Sequence, residues 1–243
     1  MGSIILNAKN IKKVYSNRRG DNTVLDGLSL TIEEGKLYAI EGESGSGKST
    51  LLSILAGLQK PSEGEVTYSP NVEKSFTISE MDDSALSKLR RHDIVYVPQM
   101  QEVLPSLNVR DNICLVDNFD DKNDRKKDRK KDRKKISNKE ISNKEMSDIG
   151  RLTLILEQLG ISDLLNEYPS ELSGGELRRL CIARTLYANP KVILADEPTN
   201  DLDADNRNKL RKIFSDTREK GVAVVVVTHD SELAEAADVR IRL

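Results

Sequence analysis

Residues Gly42 to Ser49 read GESGSGKS, a match to G-x-x-x-x-G-K-[ST], and this octet restricts the folds open to the chain more than any other segment. Such a loop needs a strand to deliver it and a helix to receive it. Leu37-Tyr38-Ala39-Ile40 is a short apolar run suited to a buried strand, and Ser49 to Ala56 has the spacing of a packed helix. Gly42, Gly45 and Gly47 let the backbone turn tightly and bring N–H groups against an anion with no Cβ in the way. Lys48 adds an ammonium, the hydroxyl of Ser49 can ligate Mg²⁺, and the helix N-terminus adds partial positive charge. Glu43, Ser44 and Ser46 fill the loop, and Thr50 continues its first helical turn. The ligand expected from these residues is a polyphosphate.

Strand-like runs alternate with turns at the start of the chain: Ile4-Ile5-Leu6, Lys12 to Tyr15, and Val24 to Ile32, separated by Asn17 to Asp21 and closed by Glu33-Glu34-Gly35. They predict an antiparallel β region leading into the loop strand. A further strand is expected after the turn Pro61 to Gly64, a short helix over Ser84 to Arg91, and a buried strand over Ile94 to Val97. Helical spacing returns at Leu152 to Leu159 and at Leu164-Leu165, and Ser173-Gly174-Gly175 opens a helix running to about Ala188. Lys191 to Ala195 and Gly221 to Thr228 are aliphatic, β-branched runs that each follow a helix. That alternation predicts a largely parallel α/β sheet.

The net charge of −2 hides an uneven distribution. Lys122 to Lys135 holds ten basic residues against three aspartates, which leaves 28 basic against 37 acidic residues elsewhere, a net of −9. An acidic body argues against a general nucleic-acid binder, and none is expected as a partner. From about 118 to 147 the chain is repetitive. Arg125-Lys126-Lys127-Asp128 recurs every four residues, and Ile136 to Glu140 repeats as Ile141 to Glu145. Two tandem repeats with few apolar residues read as a solvated surface insert, in preference to a basic arm for acidic headgroups. No stretch approaches the roughly 18 apolar residues of a membrane span, and Met1 to Asn10 lacks the apolar core of a secretory signal. A cytosolic protein is expected. Cys114 and Cys181, far apart and in apolar surroundings, are expected as reduced, buried or nearly buried thiols.

The chemistry-bearing residues follow the loop in order. Val192 to Glu197 is an apolar strand ending in the carboxylates Asp196 and Glu197, the first suited to hold Mg²⁺ through water and the second to accept a proton from an attacking water. A second buried strand, Val224 to Thr228, ends at His229. Gln99 follows the strand at Val95 to Val97, and Ser173, Gly174, Gly175 and Glu176 form a second candidate anion site at a helix start. Asn200-Asp201-Leu202-Asp203 comes just after the carboxylate pair.

With these motifs in this order, the sequence resembles the ATP-binding cassette (ABC) ATPases over nearly the whole chain except the insert. The resemblance implies a single P-loop NTPase domain over 1–243, with a RecA-like α/β core, an antiparallel β subdomain and a helical subdomain at about 100–185. It makes GESGSGKS the Walker A loop and Gln99 the Q-loop glutamine, a metal contact with Ser49 and Asp196. It makes Leu172 to Glu176 the signature, Glu197 the catalytic carboxylate, His229 the switch histidine and Tyr15 the aromatic that stacks on adenine. It also implies Mg²⁺ with ATP, and a head-to-tail homodimer in which Ser173 to Glu176 cover the ATP of the partner. Glu176 stands where the family usually has glutamine, and Asn200-Asp201 replaces the usual small pair. The stretch Leu104 to Ile113 is similar to the lipoprotein-releasing and macrolide-export group. The reading that follows is the ATPase subunit of a transporter, peripheral on the inner face of the cell membrane through a separate permease. The competing readings are a signalling ATPase acting through a membrane partner and a soluble cassette ATPase of repair or translation.

Overall fold

The computed structural model describes residues 2–18, 20–116 and 143–243. The basic repeat lies outside the described residues. Two compact units are formed, Met1–Met100 with Asn189–Leu243, and Gln101–Ala188.

The first unit holds two sheets. The purely parallel one has five strands, β3 (Leu37–Glu41), β6 (Ile94–Val97), β7 (Val192–Asp196), β8 (Ala223–Val227) and β9 (Val239–Arg242), in the order β6-β7-β8-β3-β9. Every residue of β7 and β8 is buried. A strand covered on both faces has no solvent side to alternate with, which explains their unbroken aliphatic sequences. Register then does the positioning. Ile40 pairs with Val227, Val227 with Asp196, and Ala195 with Val97. Four strands therefore end at one level, and the residues that follow them share one edge of the sheet.

The other sheet is antiparallel, ordered β2-β1-β4-β5, from β1 (Ile4–Asn17), β2 (Gly20–Glu33), β4 (Glu63–Asn71) and β5 (Lys74–Thr77). The two runs expected before residue 16 are one strand. It stays continuous because register shifts between Ala8 and Lys13 absorb its polar middle, with Asn10 in the left-handed region at φ 50°. Helix α1 (Lys48–Leu55) buries Leu51, Leu52, Ile54 and Leu55. At roughly 1.5–3 kcal/mol for each fully buried aliphatic side chain, this anchors the helix firmly. Helix α2 (Asp83–His92) starts where Asp82 accepts from Ala85 N–H at 2.7 Å.

In the second unit, α3 (Val109–Ile113) is capped by Asn108, which accepts from Asp111 N–H at 2.8 Å. Asn112 is fully buried. Its Oδ1 accepts from Leu104 N–H, and its Nδ2 donates to the carbonyls of Leu104, Leu107 and Asn108. One amide thus fastens the loop 104–108. Helix α4 (Asn143–Leu159) begins inside the second copy of the five-residue repeat, ahead of the expected run, and buries Leu152, Ile155, Leu156 and Leu159. Ser162–Leu164 is a single 3₁₀ turn where helical spacing was expected. Helix α5 is Gly174–Tyr187. Cys114 is half-buried and Cys181 buried, and neither is in a disulfide.

Helices α6 (Ala204–Glu219) and α7 (Ser231–Glu235) flank β8 in sequence. Strands β5 and β9 and helix α7 had no clear sequence signal; β9, Val-Arg-Ile-Arg, is half exposed and so lacks a buried-strand pattern.

The bulge in β1 brings its backbone close to Gly64. A Cβ built there would lie 2.3 Å from the Asn10 carbonyl and 2.4 Å from that of Lys9, at φ +86°. Gly221 has a similar φ of +91° with open space around it. Gly221→Ala should therefore cost about 1 kcal/mol of backbone strain. Gly64→Ala should cost roughly 3 kcal/mol or more, since two carbonyls must also move. Urea denaturation of the two variants measures the difference, and equal midpoints would show that the bulge yields freely.

Candidate functional site

The loop after β3 is held by its own lysine. Lys48 is buried, and its ammonium donates to the carbonyls of Gly42 and Glu43 at 2.9 and 2.8 Å, which leaves one of its three N–H donors for a ligand. Gly47, at φ +95°, caps α1 by conformation with no side-chain bond. A Cβ there would meet the side chains of Val24 and Leu25 and the Val24 carbonyl at 2.9 Å, so glycine is required. The hydroxyl of Ser46 is buried with no protein partner. It is not among the cavity walls and faces Gly42, where an added Cβ would lie 2.8 Å from it.

Across the shared edge stand the carboxylates. Asp196 and Glu197 are both buried, and Asp196 Oδ2 lies 3.5 Å from the hydroxyl of Tyr96 on β6. Glu197 sits in the left-handed region at φ 47°. Its place before Pro198 predicts extended backbone, but three bonds overrule that preference. Its N–H donates to the Val227 carbonyl, its carbonyl accepts from Asn200 N–H, and its Oε2 accepts from His229 N–H at 3.2 Å. The His229 Nε2 is 3.4 Å from Glu197 Oε1. Burial pushes the Glu197 carboxyl above the ordinary range, and Asp196 adds to this, while the His229 N–H and side chain and Lys48 pull it back.

These groups surround one cavity of about 390 Å³. Its walls include Ser44, Gly45, Gly47, Lys48, Ser49, Thr50, Gln99, Asp196, Glu197 and His229, so ten of the expected site residues come together. Gly42 and Glu43 act beneath it through their carbonyls. Tyr15 is not among the walls; it is exposed near the end of β1. Ser173 to Glu176 belong to the second unit. There the Ser173 hydroxyl and N–H donate to Glu176 Oε2 at 2.7 and 2.8 Å, closing a capping box that lowers the Glu176 pKa. The sequence reading missed Val24 and Val227 as walls, and it left Asn200 out of the phosphate site. Only Asn200 had a polar signal to find.

The site can do two things chemically. A polyphosphate fits the loop amides and Lys48. A hard cation fits Ser49, Gln99 and Asp196, which offer only oxygen donors on the cavity wall. Among the described residues no group of three or more His, Cys, Asp or Glu side chains could hold a metal ion without such a ligand's help.

A glycine loop between strand and helix, facing a buried carboxylate pair on a parallel strand, defines a P-loop nucleotide-hydrolysing domain. The ABC transporter family profile matches residues 25–200, and the chain belongs to that family. It is 36% identical over 239 residues to the uncharacterized ABC transporter ATP-binding protein MJ1508 of Methanocaldococcus jannaschii, covering 98% of this chain and 95% of that protein. Two dimeric structures of the ATP-binding cassette MJ0796, one of them a post-hydrolysis state bound to ADP and Pi, superpose with TM-scores of 0.81 and 0.80. They are 34% and 33% identical, over 98% of this chain and 94% of theirs. The chain is thus an ABC nucleotide-binding domain that hydrolyses ATP.

The raised Glu197 carboxyl has a consequence for stability. A carboxyl whose folded pKa exceeds its unfolded value contributes stability at low pH and loses it as pH rises through the folded pKa. Glu197→Gln should therefore melt at a higher temperature than the parent protein at pH 8, with the gap closing as pH falls through the carboxyl range. Thermal melts of nucleotide-free protein test this. A gap that is absent at pH 8 would mean the buried charge is fully compensated.

Proposed function

We propose that the chain is the ATPase subunit of a membrane transporter, working as a head-to-tail homodimer on a separate integral membrane permease at the cytoplasmic face. The observation that carries the hydrolytic half of this reading is the buried Glu197 carboxylate. It lies opposite the phosphate loop and is held by His229. Glu197 accepts the proton of the attacking water, and its raised pKa makes it the stronger base. Lys48 and the loop amides hold the β and γ phosphates. His229, with its exposed imidazole, contacts the γ-phosphate. Ser49, Gln99 and Asp196 would hold Mg²⁺, which would supply positive charge against that developing on the phosphate oxygens. Tyr15 stacks on adenine. Glu197→Gln should retain ATP affinity and lose phosphate release by about 100-fold or more, the lower end of what one general base contributes.

The dimer is supported by the two dimeric relatives and by the second unit itself. Ser173 and Gly174 are exposed at the N-terminus of α5, a 14-residue helix whose capping box satisfies its own first turn. In the dimer these residues cover the γ-phosphate bound by the partner. The resemblance of Leu104 to Ile113 supports a place beside the lipoprotein-releasing and macrolide-export ATPases. Ser173→Arg should block hydrolysis while leaving ATP binding by the monomer near normal, and mixing it with Lys48→Ala protein should restore one working composite site per heterodimer. Phosphate release from the mixture at varied ratios tests this. A mixture as inactive as its parts would overturn the head-to-tail arrangement.

A further inference from the structure

The residues around Tyr15 have no role in the reading above, yet they are built as a mount. The Tyr15 hydroxyl donates to Gln59 Oε1 at 2.7 Å. The Lys13 ammonium lies over the same ring, 5.1 Å from its centroid, and is itself fixed by donating to the Lys60 carbonyl at 2.7 Å. Gln59 is not a free surface side chain on a loose loop, because its N–H and that of Leu58 both donate to the carbonyl of Ser53, inside α1. The strand that carries the ring is tied to the same segment. Ser62 N–H donates to the Lys12 carbonyl at 2.7 Å, Ser62 Oγ accepts from Val14 N–H at 3.0 Å, and Lys12 pairs with Glu63 at 2.9 Å.

We infer that Gln59 and Lys13 are positioning residues that fix the Tyr15 ring at a set distance from the phosphate loop, so that base and triphosphate are recognised by one rigid body. The inference rests on the reading that Tyr15 stacks on adenine. The physical grounds are two. The N-terminus of α1 cradles phosphate while its C-terminal carbonyls hold Gln59, so one helix sets both ends of the ligand's span. A cation over one face of the ring leaves the other face for a base and adds attraction to the stack. A ring restrained before binding also loses less freedom when the base arrives. The exposure of Tyr15, 39%, fits a surface that a ligand covers.

The test compares ATP with inorganic tripolyphosphate, which has the charges and no base, by calorimetry on the whole chain. Gln59→Leu should weaken ATP binding about threefold to tenfold, the scale of one net hydrogen bond. It should leave tripolyphosphate affinity and the melting temperature unchanged. In steady state KM should rise while kcat at saturating ATP holds. Tyr15→Phe should match Gln59→Leu, the double variant should be no worse than either, and Gln59→Glu, which keeps the acceptor, should restore affinity. Tyr15→Ala should weaken ATP binding by about tenfold or more, as base stacking on an aromatic side chain does. If Tyr15→Ala weakens ATP binding but Gln59→Leu and Tyr15→Phe do not, the positioning role is overturned and the stacking role stands. If Tyr15→Ala leaves ATP binding intact, the stacking reading fails and the inference with it. A parallel loss of tripolyphosphate affinity in Gln59→Leu would show a general distortion of α1 and would also overturn it.

Discussion

Everything in the site depends on the register of the parallel sheet. Backbone hydrogen bonding between β3, β8 and β7 sets Ile40, Val227 and Asp196 side by side. The first residues beyond these strands are Gly42, Thr228 followed by His229, and Glu197. A slip of one residue would turn every buried valine of β8 to the opposite face and move Glu197 along the strand axis by about 3.3 Å. Because β8 offers valine to both faces, burial alone would tolerate that slip; the bonds at its ends, Val224 N–H to the Lys36 carbonyl, Glu197 N–H to the Val227 carbonyl and Thr228 N–H to the Ile40 carbonyl, hold the register that aligns core and site.

That arrangement concentrates charge where water is scarce. Lys48, Asp196 and Glu197 are all buried around one cavity. The protein manages this with backbone groups as well as with the charges of Lys48 and His229 beside Glu197. Two loop carbonyls take the lysine, and the His229 N–H takes the glutamate. Such dipoles are fixed by the fold and need no rearrangement when a phosphate enters, which is the condition for effective electrostatic catalysis.

Much of this was legible in the residues. GESGSGKS, the strand ending in Asp196-Glu197 and the one ending at His229 each join an aliphatic run to a chemical group, and aliphatic runs are what parallel sheets require. Ten of the expected residues consequently share one cavity. What escaped notice was geometry set by tertiary contact. Val24 forms a wall because β2 passes over Gly47, and no local pattern encodes that crossing. The left-handed turn at Glu197 runs against the preference of a residue before proline, and long-range bonds impose it. The edge strand β9 is too polar to stand out, yet it flanks the loop strand, and Leu243 lies close enough that a Cβ at Gly42 would meet its carbonyl at 2.6 Å. The continuity of β1 through Asn10 depends on a bulge opposite Gly64, and period-two reasoning breaks a strand at such a place.

Position 197 also bears on how the protein could be improved in the laboratory. Two penalties fall on one residue there, a desolvated carboxylate and a backbone angle that asparagine or glycine adopts more readily. A directed-evolution campaign that screens on heat tolerance alone would find ready gains at this codon and, on the role proposed for Glu197, would enrich clones that no longer turn over. If Glu197 is the base proposed above, thermostable variants of this cassette have to be selected on turnover after heating, because a strained point of its backbone would also be the point that does the chemistry.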